Sequence, residues 1–326
     1  MQRPLSLARA DTPLQWLERP SARLGLEIWV KRDDLTGLGL SGNKVRKLDY
    51  LLAEALSQGC DTVITTGGIQ SNHCRATAVA ARQIGMQPVL LLRGEPPAEA
   101  DGNLLLNQIL GAELHWTDDA GYAHRDAHMA DLARELSAQG RHPYVIPEGG
   151  SNATGALGFV RAGRELGTQA IAQGLRFDSV VCAVGSGGTL AGLALAGMDA
   201  EVLGIAVCDD RATFRARVEA IGDEARARYG LRLPSHGWDV IDGFQGRGYA
   251  LSTPEELRSQ VRFTRETGLF LDPVYTGKAW CAVEALAQSA PERLGERVLF
   301  WHTGGLFGLF GRGAELRAAL ADPSPA

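Results

Sequence analysis

Residues 62–92 read TVITTGGIQSNHCRATAVAARQIGMQPVLLL, and this stretch decides the fold. A β-branched run, TVITT at 62–66, gives way to two glycines. A helical pattern then runs from Ser71 to about Ile84, with Gly85 as its stop, and PVLLL follows at 88–92. Two short apolar runs separated by one helix predict a βαβ unit, whose strands are parallel. The same grammar continues outward. A helix around Asn103 to Leu110 ends at Gly111 and leads to ELHW, and a helix near Ala123 to Ala138 delivers the chain to YVIP at 144–147. In the second half, FDSVVCAV (177–184), a glycine loop and a helix precede EVLGIAV (201–207), an arginine-rich helix and, later, RVLFW (297–301). The fold class expected is α/β, with mostly parallel open twisted sheets.

At 326 residues the chain is long enough for two domains. PEGGSNATG at 147–155, rich in glycine and small polar residues, is the candidate crossing between them, and a cleft between two α/β domains is the default place for a ligand. A net charge of −5 gives no field for a phosphate backbone, so no nucleic-acid partner is expected. The N-terminal stretch carries Arg3, Arg9 and Asp11 with no apolar run between them, so no secretory signal is expected. The charge-free run Val180 to Met198 has the length of a membrane span. Its five glycines with Ser186 and Thr189 point instead to a buried strand, a turn and a buried helix, and no membrane partner is expected. Five scattered cysteines without a C-x-x-C pair predict reduced thiols, a cytoplasmic setting and no metal site.

Three strand-to-helix turns combine glycine with small hydroxyl residues: TGGIQSNH (66–73), PEGGSNATG and VGSGGTLAGL (184–193). Unpaired amides and the dipole at a helix start favour phosphate or carboxylate there. The third is the strongest, with Gly185, Gly187 and Gly188 exposing amides while Ser186 and Thr189 supply hydroxyls. It also half-fits a dinucleotide fingerprint: Gly185 and Gly187 match, Leu190 breaks the pattern, and Asp209 and Asp210 stand where a ribose-binding acid would fall.

Lysine occurs only at Lys31, Lys44, Lys47 and Lys278, leaving 29 of the 33 Lys+Arg residues as arginine. Two of the four lie in SGNKVRKL (41–48), where a small turn-forming run gives way to a helix. A lysine at a helix start feels the positive end of the dipole, which disfavours its protonated form, and partial burial adds to this. Such an amine attacks carbonyls. Lys44 is the better placed, since Lys47 falls one turn later. Lys31 precedes Asp33 and Asp34, two acids available to pair with it.

KRDDLTGLGLSGNKVRKLDYL, TTGGIQSNHCRATAVAA, YVIPEGGSNATGALGFV, GSGGTLAGL, LDPVYTGKA and HTGG follow one another in order along nearly the whole chain. In this the sequence resembles the 1-aminocyclopropane-1-carboxylate deaminase and D-cysteine desulfhydrase family, pyridoxal-phosphate enzymes of the tryptophan-synthase β-subunit fold type (fold type II). The resemblance implies a cofactor in the interdomain cleft. It also implies a discontinuous larger domain, 1–45 with 152–326, around a smaller α/β domain, 46–151, and a homodimer. The lysine of the family's GGNK motif, which holds the cofactor covalently, falls on Lys44, with Ser41 in place of the first glycine. Lys47 becomes a helix-surface or phosphate-side residue. Asn72 matches the residue facing the cofactor's phenolic oxygen, and Ser71 the hydroxyl that meets the substrate carboxylate or assists proton transfer. Gly185 to Thr189 match the phosphate cradle. After substrate binding, freed Lys44 becomes the base for the Cα proton, and loss of a β-substituent leads to a 2-keto acid and ammonia.

The tetrad Pro273-Val274-Tyr275-Thr276 separates branches of this family. In the cyclopropane deaminases the residue after this tyrosine is a glutamate that contacts the pyridine nitrogen; Thr276 implies a neutral hydroxyl partner and elimination of a thiolate. His73 agrees, since QSNH resembles the desulfhydrase pattern. Tyr275 is expected over the substrate side of the cofactor, and Tyr249 in GRGYAL loosely resembles a second active-site tyrosine. Glu148 departs from the apolar residue of the desulfhydrases. The resemblance thus implies a pyridoxal-phosphate carbon–sulfur lyase acting on D-cysteine. Alternatives are L-cysteate, β-chloro or O-acyl amino acids and 1-aminocyclopropane-1-carboxylate as substrates and, from other classes, a nicotinamide-dependent oxidoreductase or a non-catalytic carrier of the cofactor.

Overall fold

The computed structural model describes residues 3–321. Its strands are β1 (Leu14–Trp16), β2 (Glu27–Arg32), β3 (Thr62–Gly68), β4 (Gln87–Arg93), β5 (Glu113–Thr117), β6 (Pro143–Val145), β7 (Ser179–Val184), β8 (Glu201–Ala206), β9 (Trp238–Ile241) and β10 (Arg297–His302). Its helices are α1 (Glu18–Leu24), α2 (Lys44–Ser57), α3 (Asn72–Gln83), α4 (Gly102–Ile109), α5 (Asp119–Ala123), α6 (Arg125–Ala138), α7 (Ala153–Gln173), α8 (Gly188–Leu195), α9 (Arg211–Tyr229), α10 (Pro254–Thr267), α11 (Thr276–Ser289), α12 (Leu306–Phe310) and α13 (Gly313–Ala321).

The strands form two sheets, ordered β5-β4-β3-β6 and β1-β2-β10-β7-β8-β9. TVITT and PVLLL pair in parallel, Ile64 opposite Val89 and Thr66 opposite Leu91, with α3 as the crossover. β1 runs antiparallel to β2, and the other pairings are parallel. β7 is buried along its whole length, which is why it reads as an unbroken apolar run rather than an alternating one. The charge-free run from Val180 divides as expected into β7, a glycine turn and the buried helix α8. No described helix is long and apolar enough to cross a membrane. All five cysteines are unpaired. The helix expected near Ala123 to Ala138 is α6; a short α5 precedes it, capped by Asp118, which accepts from the Gly121 amide at 2.7 Å, and the chain leaves helical geometry at His124 between the two.

α2 is pinned from behind. α7 crosses it so closely that a Cβ on Gly158 would lie 2.1 Å from the Arg46 carbonyl oxygen, so only glycine fits there. Beside this crossing lies a buried charge cluster. The Arg46 guanidinium grips Asp33 through two nitrogens, at 2.7 and 2.8 Å, and donates to Glu165 at 2.8 Å. Asp33 also accepts from the Trp301 indole at 2.8 Å. Lys31 donates to Glu165 at 2.6 Å and to the Thr12 carbonyl and Gln169 at the same distance. The sequence expectation that Lys31 pairs with Asp33 and Asp34 is corrected here: Asp34 pairs with Arg32, and Asp33, though in the same cluster as Lys31, has its oxygens taken by Arg46 and Trp301, so Lys31 pairs with Glu165 of α7.

Candidate active site

In an open parallel sheet the strand ends diverge where the order reverses, and ligands bind outside the carboxyl ends there. The larger sheet reverses between β10 and β7, the smaller between β3 and β6. The turns leaving β3, β7 and β10 all reach one cavity of about 310 Å³. Its wall includes Lys44, Ser71, Asn72, His73, Gly185 to Gly187, Thr189, Tyr249 and Tyr275, residues spread over more than 230 positions of sequence that the fold brings together.

Lys44 opens α2. Its Nζ donates to Asn43 Oδ1 at 3.2 Å and lies 5.8 Å from the centre of the Tyr275 ring, with no carboxylate in salt-bridge contact among the described residues. Burial lowers its pKa to about 8; Asp272 and Glu148 oppose this and the Arg75 charge adds to it. Lys47, one turn on, is 1% exposed and donates to the Gly149 carbonyl at 3.0 Å and Ser151 Oγ at 3.2 Å. The expectation of a helix-surface lysine is therefore corrected: the face of α2 that carries Lys47 points toward the glycine turn, not toward solvent. Burial, reinforced by the Lys44 charge, holds Lys47 well below the ordinary lysine range.

The turn after β7 carries its glycines for room. A Cβ on Gly185 would stand 2.8 Å from the Tyr275 ring, and one on Gly188 2.6 Å from Ser151 Oγ and 2.8 Å from Lys47 Nζ. Gly187 takes φ 88° ahead of α8, whose first amides have no carbonyl within the helix. Ser186 Oγ meets Ser151 Oγ at 2.8 Å, and Thr189 accepts from Asn43 at 3.1 Å. Gly188 lies just behind the wall, its amide donating to Ser151.

Ser71 caps α3 by accepting from the Cys74 amide at 3.2 Å. Asn72 is oriented by Asn103, which donates to its Oδ1 at 2.9 Å. His73 is 4% exposed and paired with Thr65 Oγ1 at 2.8 Å; burial and the two lysine charges lower its pKa well below the ordinary value, so it is neutral. The Tyr249 and Tyr275 hydroxyls are 3.0 Å apart. Burial raises both phenols, Tyr249 to about 12 and Tyr275 well above the ordinary tyrosine range. Both therefore stay protonated at neutral pH. One hydroxyl proton joins the pair, which leaves the other free to donate.

Thr276 is not on the wall. Its hydroxyl donates to Asp272 Oδ1 at 2.7 Å, and its amide donates to the same oxygen at 2.9 Å. Asp272 Oδ2 accepts from the amides of Val274 and Tyr275 at 3.0 Å each. Against the expected Thr276 contact with the cofactor ring, the structure shows this hydroxyl at the capped start of α11, while Asp272 and Thr303 stand on the wall. Sequence reasoning missed this cap, although an aspartate a few residues ahead of a helix is a readable signal. It also missed the mouth of the cavity. There Tyr122 donates to Glu148 at 2.7 Å, Arg125 pairs with Glu148 at 3.3 Å, and the Arg93 guanidinium lies 5.1 Å from the ring centres of both Tyr122 and Tyr249. Asp210 caps α9 and Asp209 pairs with Arg217, so both acids weighed for a ribose are occupied.

This cavity holds an unpaired amine of lowered pKa, and across from it lies a side-chain-free helix start backed by a second ammonium. That combination fits an aldehyde cofactor carrying a phosphate. The match to the family model described as "Pyridoxal-phosphate dependent enzyme" covers residues 5–304. The chain belongs to the pyridoxal-phosphate dependent enzyme family. It is 43% identical to a "Putative 1-aminocyclopropane-1-carboxylate deaminase" of Pyrococcus abyssi, over 97% of this chain and 96% of that one. It is 40% identical to the "Bifunctional D-cysteine desulfhydrase/1-aminocyclopropane-1-carboxylate deaminase, mitochondrial" of Arabidopsis thaliana, over 97% of this chain and 82% of that one. Among solved structures, that of an "ACC deaminase homologue" superposes with a TM-score of 0.91 at 40% identity, covering 98% of this chain and 96% of that one. Pyridoxal phosphate is the cofactor and the fold is fold type II, which sets aside the nicotinamide reading of the GSGGTL loop.

Proposed function

We propose that this enzyme carries out α,β-elimination on a small β-substituted amino acid, with D-cysteine converted to pyruvate, hydrogen sulfide and ammonia at the expense of one water. Pyridoxal phosphate, when bound, supplies the electron sink for deprotonation at Cα. Lys44 holds the cofactor and then serves as the base. With a pKa of about 8, roughly a fifth of this amine is neutral at pH 7.4, against about a thousandth for an ordinary lysine. The turn from Gly185 to Thr189, with Lys47 behind it, binds the phosphate. Asn72 orients the cofactor, and Ser71 with His73 beside it receives the substrate carboxylate. The free proton of the Tyr249–Tyr275 pair goes to the departing sulfur.

The observation that carries this reading is Lys44 itself, an amine without a carboxylate partner among the described residues, 5.8 Å from the Tyr275 ring. For the desulfhydrase branch the support is the position after Tyr275: Thr276 brings no acid into the cavity, and Asp272 spends its oxygens on the start of α11. The second reading, 1-aminocyclopropane-1-carboxylate deamination, rests on the names of the relatives. Supplying D-cysteine, L-cysteine and 1-aminocyclopropane-1-carboxylate separately to the holoenzyme, while assaying sulfide, ammonia and keto acid, tests both. Sulfide from D-cysteine is the expected result; keto acid from the cyclopropane alone would replace the first reading with the second.

The same reading carries a cytoplasmic homodimer and a discontinuous larger domain of 1–45 with 152–326 around 46–151, of which residues 1–2 and 322–326 lie outside the described ones. In support of the division, β3 to β6 all fall between residues 62 and 145. Light scattering that returned a monomer mass would refute the dimer.

A further inference from the structure

α11 serves the cavity at two points. Tyr275 immediately precedes it, and Lys278, its third residue, turns away from the cavity into the protein, where it is 0% exposed. Lys278 makes no salt bridge among the described residues. Its ammonium donates instead to three carbonyls: Gln245 at 2.5 Å, Gly248 at 2.7 Å and Val207 at 3.4 Å. Three acceptors match the three N–H bonds of an ammonium. Burying a charge in this way is unfavourable on its own and needs a return.

The return lies in what the carbonyls belong to. Residues 242–253, between β9 and α10, form no regular structure. Gly243, Gly246 and Gly248 have positive φ, and so does Ala250 at 58°, a strained value for a side-chain-bearing residue. Besides Lys278, this segment is held by Gln245 donating to the Asp209 carbonyl at 2.9 Å, Ser252 donating to the Pro273 carbonyl at 3.2 Å, Asp242 accepting from the Arg211 amide at 3.1 Å, Phe244 packed against the core around Trp280 and Arg93 over the Tyr249 ring. Tyr249 follows Gly248 directly, and its hydroxyl meets that of Tyr275 at 3.0 Å. Tyr249 is therefore fastened at both ends to the same helix start, by its ring to Tyr275 and by its backbone to Lys278.

We infer that Lys278 is a positioning residue for the tyrosine pair: by clamping the Gln245–Gly248 turn it sets the Tyr249 hydroxyl against Tyr275 on the substrate side of Lys44. A lysine that merely filled a void would support the whole fold alike. A clamp acts through Tyr249 alone.

The test combines two readouts on the holoenzyme, of which only the first rests on the elimination reading. In a double-mutant cycle on D-cysteine, Lys278→Met lowers kcat about tenfold with KM little changed, but lowers it less than twofold in a Tyr249→Phe background. Equal losses in the two backgrounds would overturn the inference. Limited trypsin digestion provides the second readout, because Arg247 is exposed within the clamped segment. Cleavage after Arg247 is expected at least fivefold faster in Lys278→Met than in the parent, and an unchanged rate would also overturn the inference. If the methionine variant fails to fold, Lys278→Gln, which keeps an amide donor, is judged by the same two criteria. A parent without turnover on any of the three amino acids would defeat the elimination reading, and the Arg247 cleavage would still decide on the clamp.

Discussion

Lys44 and Arg46 are two residues apart on α2, and they face opposite settings. Behind the helix, Arg46, Lys31, Asp33 and Glu165 are buried with every cation on a carboxylate. In front, Lys44 and Lys47 are enclosed without one among the described residues. Burial opposes charge in both places. Behind the helix Asp33 and Glu165 together outweigh it and raise Arg46, and for Glu165 burial is outweighed only by Arg46 and Lys31 acting together through hydrogen bonds and charge, which bring that carboxyl down to about 2. In front nothing outweighs it, and Lys44 falls to about 8. The difference teaches that a paired buried charge fixes structure, whereas an unpaired one is held ready to react.

Removing each side in turn separates them. Lys44→Ala is expected to abolish covalently held cofactor and lower turnover by ~10³-fold or more, with a Tm within a few degrees of the parent by calorimetry; a collapse of Tm would make Lys44 structural. Arg46→Met should do the reverse, costing about 3–5 kcal/mol by denaturant titration because Asp33 and Glu165 are left buried and unpaired, while the remaining folded protein still binds cofactor through Lys44. Glu165 sharpens this further. Its folded pKa lies below the unfolded value of 4.5, so its contribution to stability is complete above pH 4.5 and is lost as the pH falls toward 2. Glu165→Gln should lose that acid-side slope.

Smaller effects belong to the cavity. Tyr275→Phe should lower kcat on D-cysteine about 10²-fold and leave β-chloro-D-alanine nearly unaffected, since chloride departs without a proton; equal losses on both would remove the tyrosine pair from proton delivery. Smallest is Glu148→Gln. Glu148 raises the Lys44 pKa against the larger effect of burial, so its neutralisation should move the midpoint of cofactor capture by apoenzyme, followed against pH, down by roughly half a unit. An upward shift would contradict that electrostatic account.

The fold was legible because buried parallel strands write themselves as continuous apolar runs and the glycine turns between them stand out: 62–92 and 177–195 could be read without a partner. The cavity was legible where one short motif brings its own helix start, as with Lys44 and with Ser71 to His73. It was not legible where a residue's role depends on a distant neighbour. Lys31 looked toward Asp33 in sequence but meets Glu165, 134 positions on. Thr276 looked like a wall residue but is folded back onto Asp272. Arg93, Tyr122 and Glu148 meet only because β4, α5 and the turn after β6 converge, and no local pattern announces that.

The most direct measurement reduces the holoenzyme with borohydride, which fixes lysine-bound cofactor, and maps the modified peptide by mass spectrometry. The account expects the added mass on Lys44 and on no other lysine. Modification at Lys47, or none at all in protein loaded with pyridoxal phosphate, would contradict it.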